Sequence, residues 1–194
     1  MSRYIGTTEL KQYLGIASTT DDALLQACIN RAESAIDNFT RRNFVGTPGT
    51  QYLSRYEQTR VVESGLYLQQ DLHTLVSLTL GDGRNVPVGS AWLEPRIGPP
   101  YRIIRLKSAY SVYVWNTDQD MIIAGTWGFG TVPPDDIVQA TVRLSAQTYR
   151  QKDAAVNDTV GFEAGGVQTM PRGLPQDVYD ILCKYRSRTG GAVG

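Results

Sequence analysis

Residues 121–138 read Met121-Ile-Ile-Ala-Gly-Thr-Trp-Gly-Phe-Gly-Thr-Val-Pro-Pro-Asp-Asp-Ile-Val138, and the hydrophobic period changes inside them. Met121-Ile-Ile-Ala124 is a short, β-branched run of the kind that forms a strand. The glycines of Gly125-Thr-Trp-Gly-Phe-Gly130 punctuate it. Pro133-Pro134 then sets a rigid start, Asp135 and Asp136 fall in a first helical turn, and Ile137, Val138, Thr141, Val142, Leu144, Ser145 and Tyr149 recur at helical spacing. Arg150 and Lys152 come in the last turn, so both ends suit the macrodipole. Strands on one side of a boundary and a helix on the other imply an α+β fold.

Upstream, Arg60-Val-Val-Glu63, Leu75-Val-Ser-Leu-Thr-Leu80, Tyr101-Arg-Ile-Ile-Arg-Leu106 and Val112-Tyr-Val-Trp115 are further strand-like runs. Turn signals separate them: Gly81-Asp-Gly83, Gly98-Pro-Pro100 and Asn116-Thr-Asp118. The spacing predicts about six strands joined by hairpins, and antiparallel pairing follows because no crossover helix intervenes. Further out the chain is helical. Thr7 or Thr8 can cap a short helix stopped by Gly15, and Thr19 with Asp22 resembles a capping box. Leu24, Leu25, Cys28, Ile29, Ala32, Ala35, Ile36 and Phe39 form one apolar stripe, with Asn30, Glu33, Asp37 and Arg41 opposite.

Downstream, residues 153–173 lose periodicity and read as a mobile loop. Pro175 opens a last helix with Val178, Ile181, Leu182 and Tyr185 on one face, and the chain from Gly190 reads as a frayed end. The organisation expected is one compact domain, a small helical bundle carrying an inserted antiparallel β region. Its parts are 1–49 (N-terminal helices), 50–130 (β insertion), 131–152 (core helix), 153–173 (loop) and 174–194 (C-terminal helix and tail).

The 194 residues carry 19 basic and 19 acidic side chains, a balance kept in each third of the chain. A duplex-binding domain advertises itself by a basic stripe and a high pI; here the pI is about 6.6. No apolar segment is long enough for a signal peptide or a membrane span, so a cytoplasmic protein is expected. Cys28 and Cys183 sit on amphipathic helices and read as two buried thiols. The sequons at Asn38 and Asn157 then carry no meaning.

One histidine excludes most triads and metal clusters by counting. His73 reads as a surface or strand-edge residue on the lead-in to a strand, outside any G-x-S-x-G or H-E-x-x-H motif. Residues 125–130 make a poor phosphate cradle, because Trp127 and Phe129 fill the loop and two prolines remove amide donors. Asp118 with Asp120 reads as turn chemistry, and Asp135-Asp136 as helix N-terminal charge. No metal or cofactor is expected.

The balance breaks once. Between Glu94 and Asp118 stand Arg96, Arg102, Arg105 and Lys107 with no acid, interleaved with Tyr101, Tyr110, Tyr113 and Trp115. Such a surface can stack single-stranded nucleic acid, although cross-strand packing explains the same pattern. A smaller cluster, Lys184, Arg186 and Arg188, complements the last helix's C-terminus and could also dock on an acidic partner.

The order of segments carries a resemblance. Thr8-Glu-Leu-Lys-Gln-Tyr-Leu-Gly15, then Asp21-Asp-Ala-Leu-Leu-Gln-Ala-Cys-Ile-Asn-Arg-Ala-Glu-Ser-Ala-Ile36 leading to Arg41-Arg-Asn-Phe44, resembles the opening of head-tail connector proteins of tailed double-stranded DNA phages. Trp127-Gly-Phe-Gly-Thr-Val-Pro-Pro-Asp-Asp-Ile-Val-Gln-Ala140 is similar to their second signature, and Leu174-Pro-Gln-Asp-Val-Tyr-Asp-Ile-Leu-Cys-Lys-Tyr-Arg186 to their closing helix.

The resemblance implies a non-enzymatic virion protein at the head-tail interface, assembled in the host cytoplasm. Such an adaptor forms a ring of about a dozen copies under the portal protein, extends the DNA channel, and offers a platform to the stopper or tail. It implies portal docking through Tyr185, Arg186 and Arg188, and DNA that passes without sequence-specific binding. The strand-rich insertion, roughly residues 50–125, departs from the smaller members, and what it contacts stays open. So do a stopper or tail-completion role, a sheet-based single-strand binder facing nucleic acid with Arg96, Arg102, Arg105 and Lys107, and a small enzyme using Asp118 and Asp120.

Overall fold

The computed structural model describes residues 4–54, 60–62, 65–107, 119–156 and 174–187. Their contacts divide them into two compact units, one from Met1–Arg41 with Pro134–Ser187 and one centred on Arg42–Pro133.

The first unit is helical: α1 (Thr7–Leu14), α2 (Asp22–Thr40), α3 (Asp135–Val156) and α4 (Gln176–Tyr185). The apolar stripes predicted for these helices meet in its interior. Leu10, Leu25 and Ile29 are wholly buried together with Ile5, Val142 and Ala146, and Ile36, Ile137, Val178 and Leu182 are likewise inaccessible. Each large side chain removed from water contributes about 1.5–3 kcal/mol, which is why the helical period was so legible. Gly15 ends α1 in the left-handed conformation, φ 72°, and its N–H donates to the Gln12 carbonyl. The Pro134 carbonyl takes the N–H groups of Ile137 and Val138 at the start of α3.

Several local expectations change. Gly6, not Thr7 or Thr8, is the N-cap of α1, and no side chain caps it. Asp21 is the N-cap of α2; its carboxylate accepts the Tyr149 hydroxyl at 2.5 Å instead of closing a capping box. Asp22 is engaged by Lys11 at 2.8 Å. Glu33, assigned to the wet face, is 3 % exposed because the N-terminal segment covers it, Tyr4 N–H donating to Oε1 at 2.8 Å. Asp37 on the same side accepts the Tyr4 hydroxyl. Cys28 is buried as expected, whereas Cys183 is exposed. It follows Leu182, one helical step off the buried row. The helix expected to end at Lys152 continues to Val156. The remainder of the expected loop, 157–173, lies outside the described residues, as do the 112–115 run and the frayed end.

The second unit is an antiparallel sheet of β1 (Thr47–Leu53), β2 (Arg60–Val62), β3 (Gly65–Thr79), β4 (Asn85–Val86), β5 (Ala91–Glu94), β6 (Tyr101–Leu106) and β7 (Met121–Trp127). Its main path runs β1-β7-β3-β6-β5, with β2 and β4 on β3. The β3–β4 and β5–β6 hairpins turn at the Gly81–Gly83 and Gly98–Pro100 signals, although β1, β4 and β5 lie outside the strand-like runs read from the sequence; the pairings of β7 with β1 and β3 are long-range. β3 is the spine, 15 residues where the sequence suggested only Leu75–Leu80. Register shifts between Leu72 and Thr74 and between Leu75 and Ser77 break its alternation, which hid its length from a period-two reading.

One face is a core of Leu53, Leu66, Leu72, Leu78, Ile104, Met121, Ile123 and Trp127, among others. β7 runs through Gly125-Thr-Trp127, so the first half of the expected glycine loop is strand. Gly125 fits there because a Cβ would come within 2.3 Å of the Thr74 carbonyl oxygen.

Candidate functional site

Two candidate surfaces came from the sequence, and each lies within one unit. On the sheet, β6 carries Arg102 and Arg105, and neither cation is unpaired. Arg102 Nε donates to Asp71 Oδ1 at 2.6 Å, and Arg42 Nη1 reaches the other oxygen of that carboxylate at 2.9 Å. The Asp71 side chain is 2 % exposed, so it is buried between two guanidinium groups. The Arg42 guanidinium carbon also lies 5.4 Å from the Phe129 ring centroid, and Phe129 packs on Phe44 at 5.5 Å. Backbone bonds tie the same corner: Gly128 N–H to the Asp71 carbonyl, Phe129 N–H to Asn43, and Gly46 N–H to Gly130.

Arg105 Nε donates to Glu94 across the β5–β6 pair at 2.9 Å. Lys107 Nζ donates to the Gly89 carbonyl. Arg96 stacks on Trp92, 3.9 Å from its centroid. The acid-free run of sequence is thus neutralised in part by acids from β3 and β5, Asp71 being 31 residues from Arg102. Tyr101 packs against the core, while Tyr110, Tyr113 and Trp115 lie outside the described residues. Sequence reading missed Asp71 altogether. Its only signal was a carboxylate in Leu68-Gln-Gln-Asp-Leu72, between positions that prove buried.

On the helical unit, the Tyr185 hydroxyl lies 3.5 Å from Asp136 Oδ2. Burial chiefly, and the Asp136 carboxylate beside it, push this phenol above its ordinary pKa. The exposed Arg186 holds its guanidinium 5.6 Å from the Phe39 ring, which meets Tyr179 edge-on at 5.4 Å. A hydrogen bond with Cys183, and that group's charge, raise the Tyr179 phenol. Ser187 N–H donates to the Thr40 carbonyl and fixes the end of α4. Arg188 lies outside the described residues.

The groups that could have carried chemistry stay dispersed. His73 is half-buried within β3, inside the strand instead of leading into it, at a register shift. Asp135 and Asp136 open α3 as expected, Asp120 is exposed, and Asp118 lies outside the described residues. Among the described residues no three metal-ligating side chains cluster, and no helix is long and apolar enough to cross a membrane. A cleft of the helical unit, about 410 Å³, is lined by Tyr13, Arg143, Gln147, Arg150 and Asp177 among others. Its one carboxylate, Asp177, is already paired with Arg143.

Residues 7–76 match the family of phage gp6-like head-tail connector proteins. The match spans α1, α2 and the sheet as far as β3, so the resemblance read from the opening helices holds. No curated protein matches the chain by sequence. A chain in the neck of an empty gene transfer agent particle, computed with C6 symmetry, has the same fold: TM-score 0.62 at 20 % identity, over 97 % of this chain and 92 % of that one. A chain in the neck of the native particle, computed with C12 symmetry, aligns with TM-score 0.57 at 19 % identity, over 96 % and 90 %. A chain of the native virion of such a particle gives 0.58 at 20 %, over 97 % and 92 %.

Proposed function

We propose that the chain is a structural neck protein, a head-tail connector of a phage-like particle. It works as an adaptor: a ring of about twelve copies under the portal, extending the DNA channel and presenting a platform to the stopper or tail. The observation that carries the reading is the family match over residues 7–76. The fold shared with neck chains along nearly the whole length supports it.

Charge supports it too. A wall along which DNA slides must not grip phosphate, since each neutralised phosphate releases counterions and tightens binding. A chain with no net charge, whose Arg102 and Arg105 are held by Asp71 and Glu94, is suited to surrounding DNA without clasping it. A closed ring also needs two different, complementary sides on each copy, which mixed charges can provide. Tyr185, the last residue of α4, and Arg186 and Arg188 after it in the chain are proposed to dock on the portal, Arg186 being an exposed residue. The role is mechanical and asks for no catalytic group.

Electron microscopy of the protein mixed with tail-less, portal-bearing capsids tests this. Density for a rotationally symmetric ring below the portal is the expected result. Capsids left bare, with light scattering showing neither ring nor portal complex, would sink the proposal.

A further inference from the structure

We propose that neighbouring copies join through the sheet, the outer edge of β1 in one copy taking up the outer edge of β5 in the next. The two sheets then continue into one another in parallel. The inference rests on the ring reading above and names the surface by which the ring closes.

β1 and β5 are the two ends of the path β1-β7-β3-β6-β5, and among the described residues each has a strand on one side only. An edge presents a row of backbone N–H and C=O groups, and natural edges are usually blunted by charge. β1 carries no such charge in Thr47-Pro-Gly-Thr-Gln-Tyr-Leu53, and its one blunting residue, Pro48, removes a single N–H near the strand's start. Residues 47–50 are exposed and Tyr52 is 60 % exposed. β5 carries one charge, Glu94, which is already held by Arg105.

The faces and directions agree. Leu53 of β1 and Ala91 and Leu93 of β5 lie on the core side, so by alternation Tyr52 and Trp92 point to the opposite, outer face. Trp92 is 43 % exposed. Every neighbouring pair on the path is antiparallel, so β1, β3 and β5 run one way. A rotated copy therefore brings its β1 alongside β5 in parallel, outer face continuous with outer face. Tyr52 of one copy and Trp92 of the next then fall on adjoining strands, where aromatic pairs stabilise a sheet. The contact is heterologous, as a ring requires; an isologous β1–β1 contact would stop at a dimer.

The test uses the whole chain with Cys183→Ser, so that the exposed native thiol is silent. Tyr52→Cys and Trp92→Cys are introduced singly and together, and the protein is assembled on portal-bearing capsids and mildly oxidised. A ladder of covalent oligomers on a non-reducing gel from the double variant, with none from either single variant, is expected. A second variant, Thr50→Lys, charges the edge; it should raise the concentration for half-assembly by about tenfold while leaving the thermal midpoint in place. Rings that form with no ladder and with normal assembly of Thr50→Lys would overturn the edge contact and leave the ring standing. A parent protein that forms no ring overturns both.

Discussion

The two units handle charge in opposite ways. In the helical unit the carboxylates paired with a cation sit at the rim: Asp22 meets Lys11 while 44 % of its side chain stays exposed, and the buried Glu33 takes a backbone N–H, that of Tyr4, at 2.8 Å. In the sheet unit a carboxylate with 2 % exposure is enclosed by Arg42 and Arg102. Rim pairs are worth little, because water serves either partner nearly as well. A buried ion has no such alternative, so removing one member of the cluster strands the others. The helical unit therefore depends on its apolar stripes, and the sheet unit on its stripes and one enclosed charge.

The contrast is best broken at Asp71. Asp71→Asn leaves two guanidinium groups facing a neutral amide and is expected to cost about 3–5 kcal/mol. All three tryptophans, Trp92, Trp115 and Trp127, belong to the sheet part of the chain, so their fluorescence reports that unit while far-ultraviolet circular dichroism reports mainly helices. In urea the fluorescence transition should move to much lower denaturant than the helical one. Coincident transitions would mean that the charge cluster is no special dependence of the sheet. The counterpart for the helical unit is Leu25→Ala, a wholly buried position with no polar partner at stake. It should cost about 2–5 kcal/mol through lost burial and a residual cavity, and should shift the dichroism transition first.

That difference also governs what the sequence could reveal. The stripe from Leu25 to Ile36 repeats at the helical period whether or not its neighbours are known, so the apolar buried positions of α2 were legible. β3 was legible only from Leu75 onward, because register shifts near His73 and Val76 place Leu68, Leu72, Leu75 and Leu78 out of strict alternation. The Asp71 cluster was illegible for another reason: its members stand 29 and 31 positions apart, and pairing at that distance is set by strand register, which no local pattern encodes. Glu33 shows the same limit among the helices, being buried by a segment 29 residues away. The candidate surfaces were legible as residue clusters, while their partners, Asp71, Glu94, Asp136 and Phe39, were not.

Gly125 sharpens the comparison at smaller cost. In sequence it belonged to a glycine-rich turn; in the sheet it lies on β7 where β3 leaves no room for a Cβ, with Leu72 Cδ1 2.9 Å from where one would be. Gly125→Ala must push backbone from backbone, and about 1–3 kcal/mol of overpacking is expected. Equilibrium unfolding followed by fluorescence measures it. Gly15→Ala in the helical unit meets no atom within 4 Å, and its cost arises from φ 72° alone. A loss at Gly125 no larger than that at Gly15 would mean that close approach in the sheet costs no more than a left-handed backbone does at a helix end.

The smallest expected effect tests whether the rim charges of the helical unit matter at all. Tyr185 has its pKa raised by burial and by Asp136, so the neutral phenol is the form that the folded unit favours. Its contribution is fully present below the phenol's ordinary value, about 10, and is lost as pH rises from there toward the folded value. Stability followed by dichroism should therefore fall through that alkaline window. Tyr185→Phe has no proton to lose and should fall less steeply. Asp136→Asn should do so in part, since it removes the carboxylate and leaves the burial. Identical slopes for all three proteins would mean that this rim site, unlike the enclosed carboxylate of the sheet, is energetically silent. Tyr185 could then take part in the proposed portal contact without cost to its own fold.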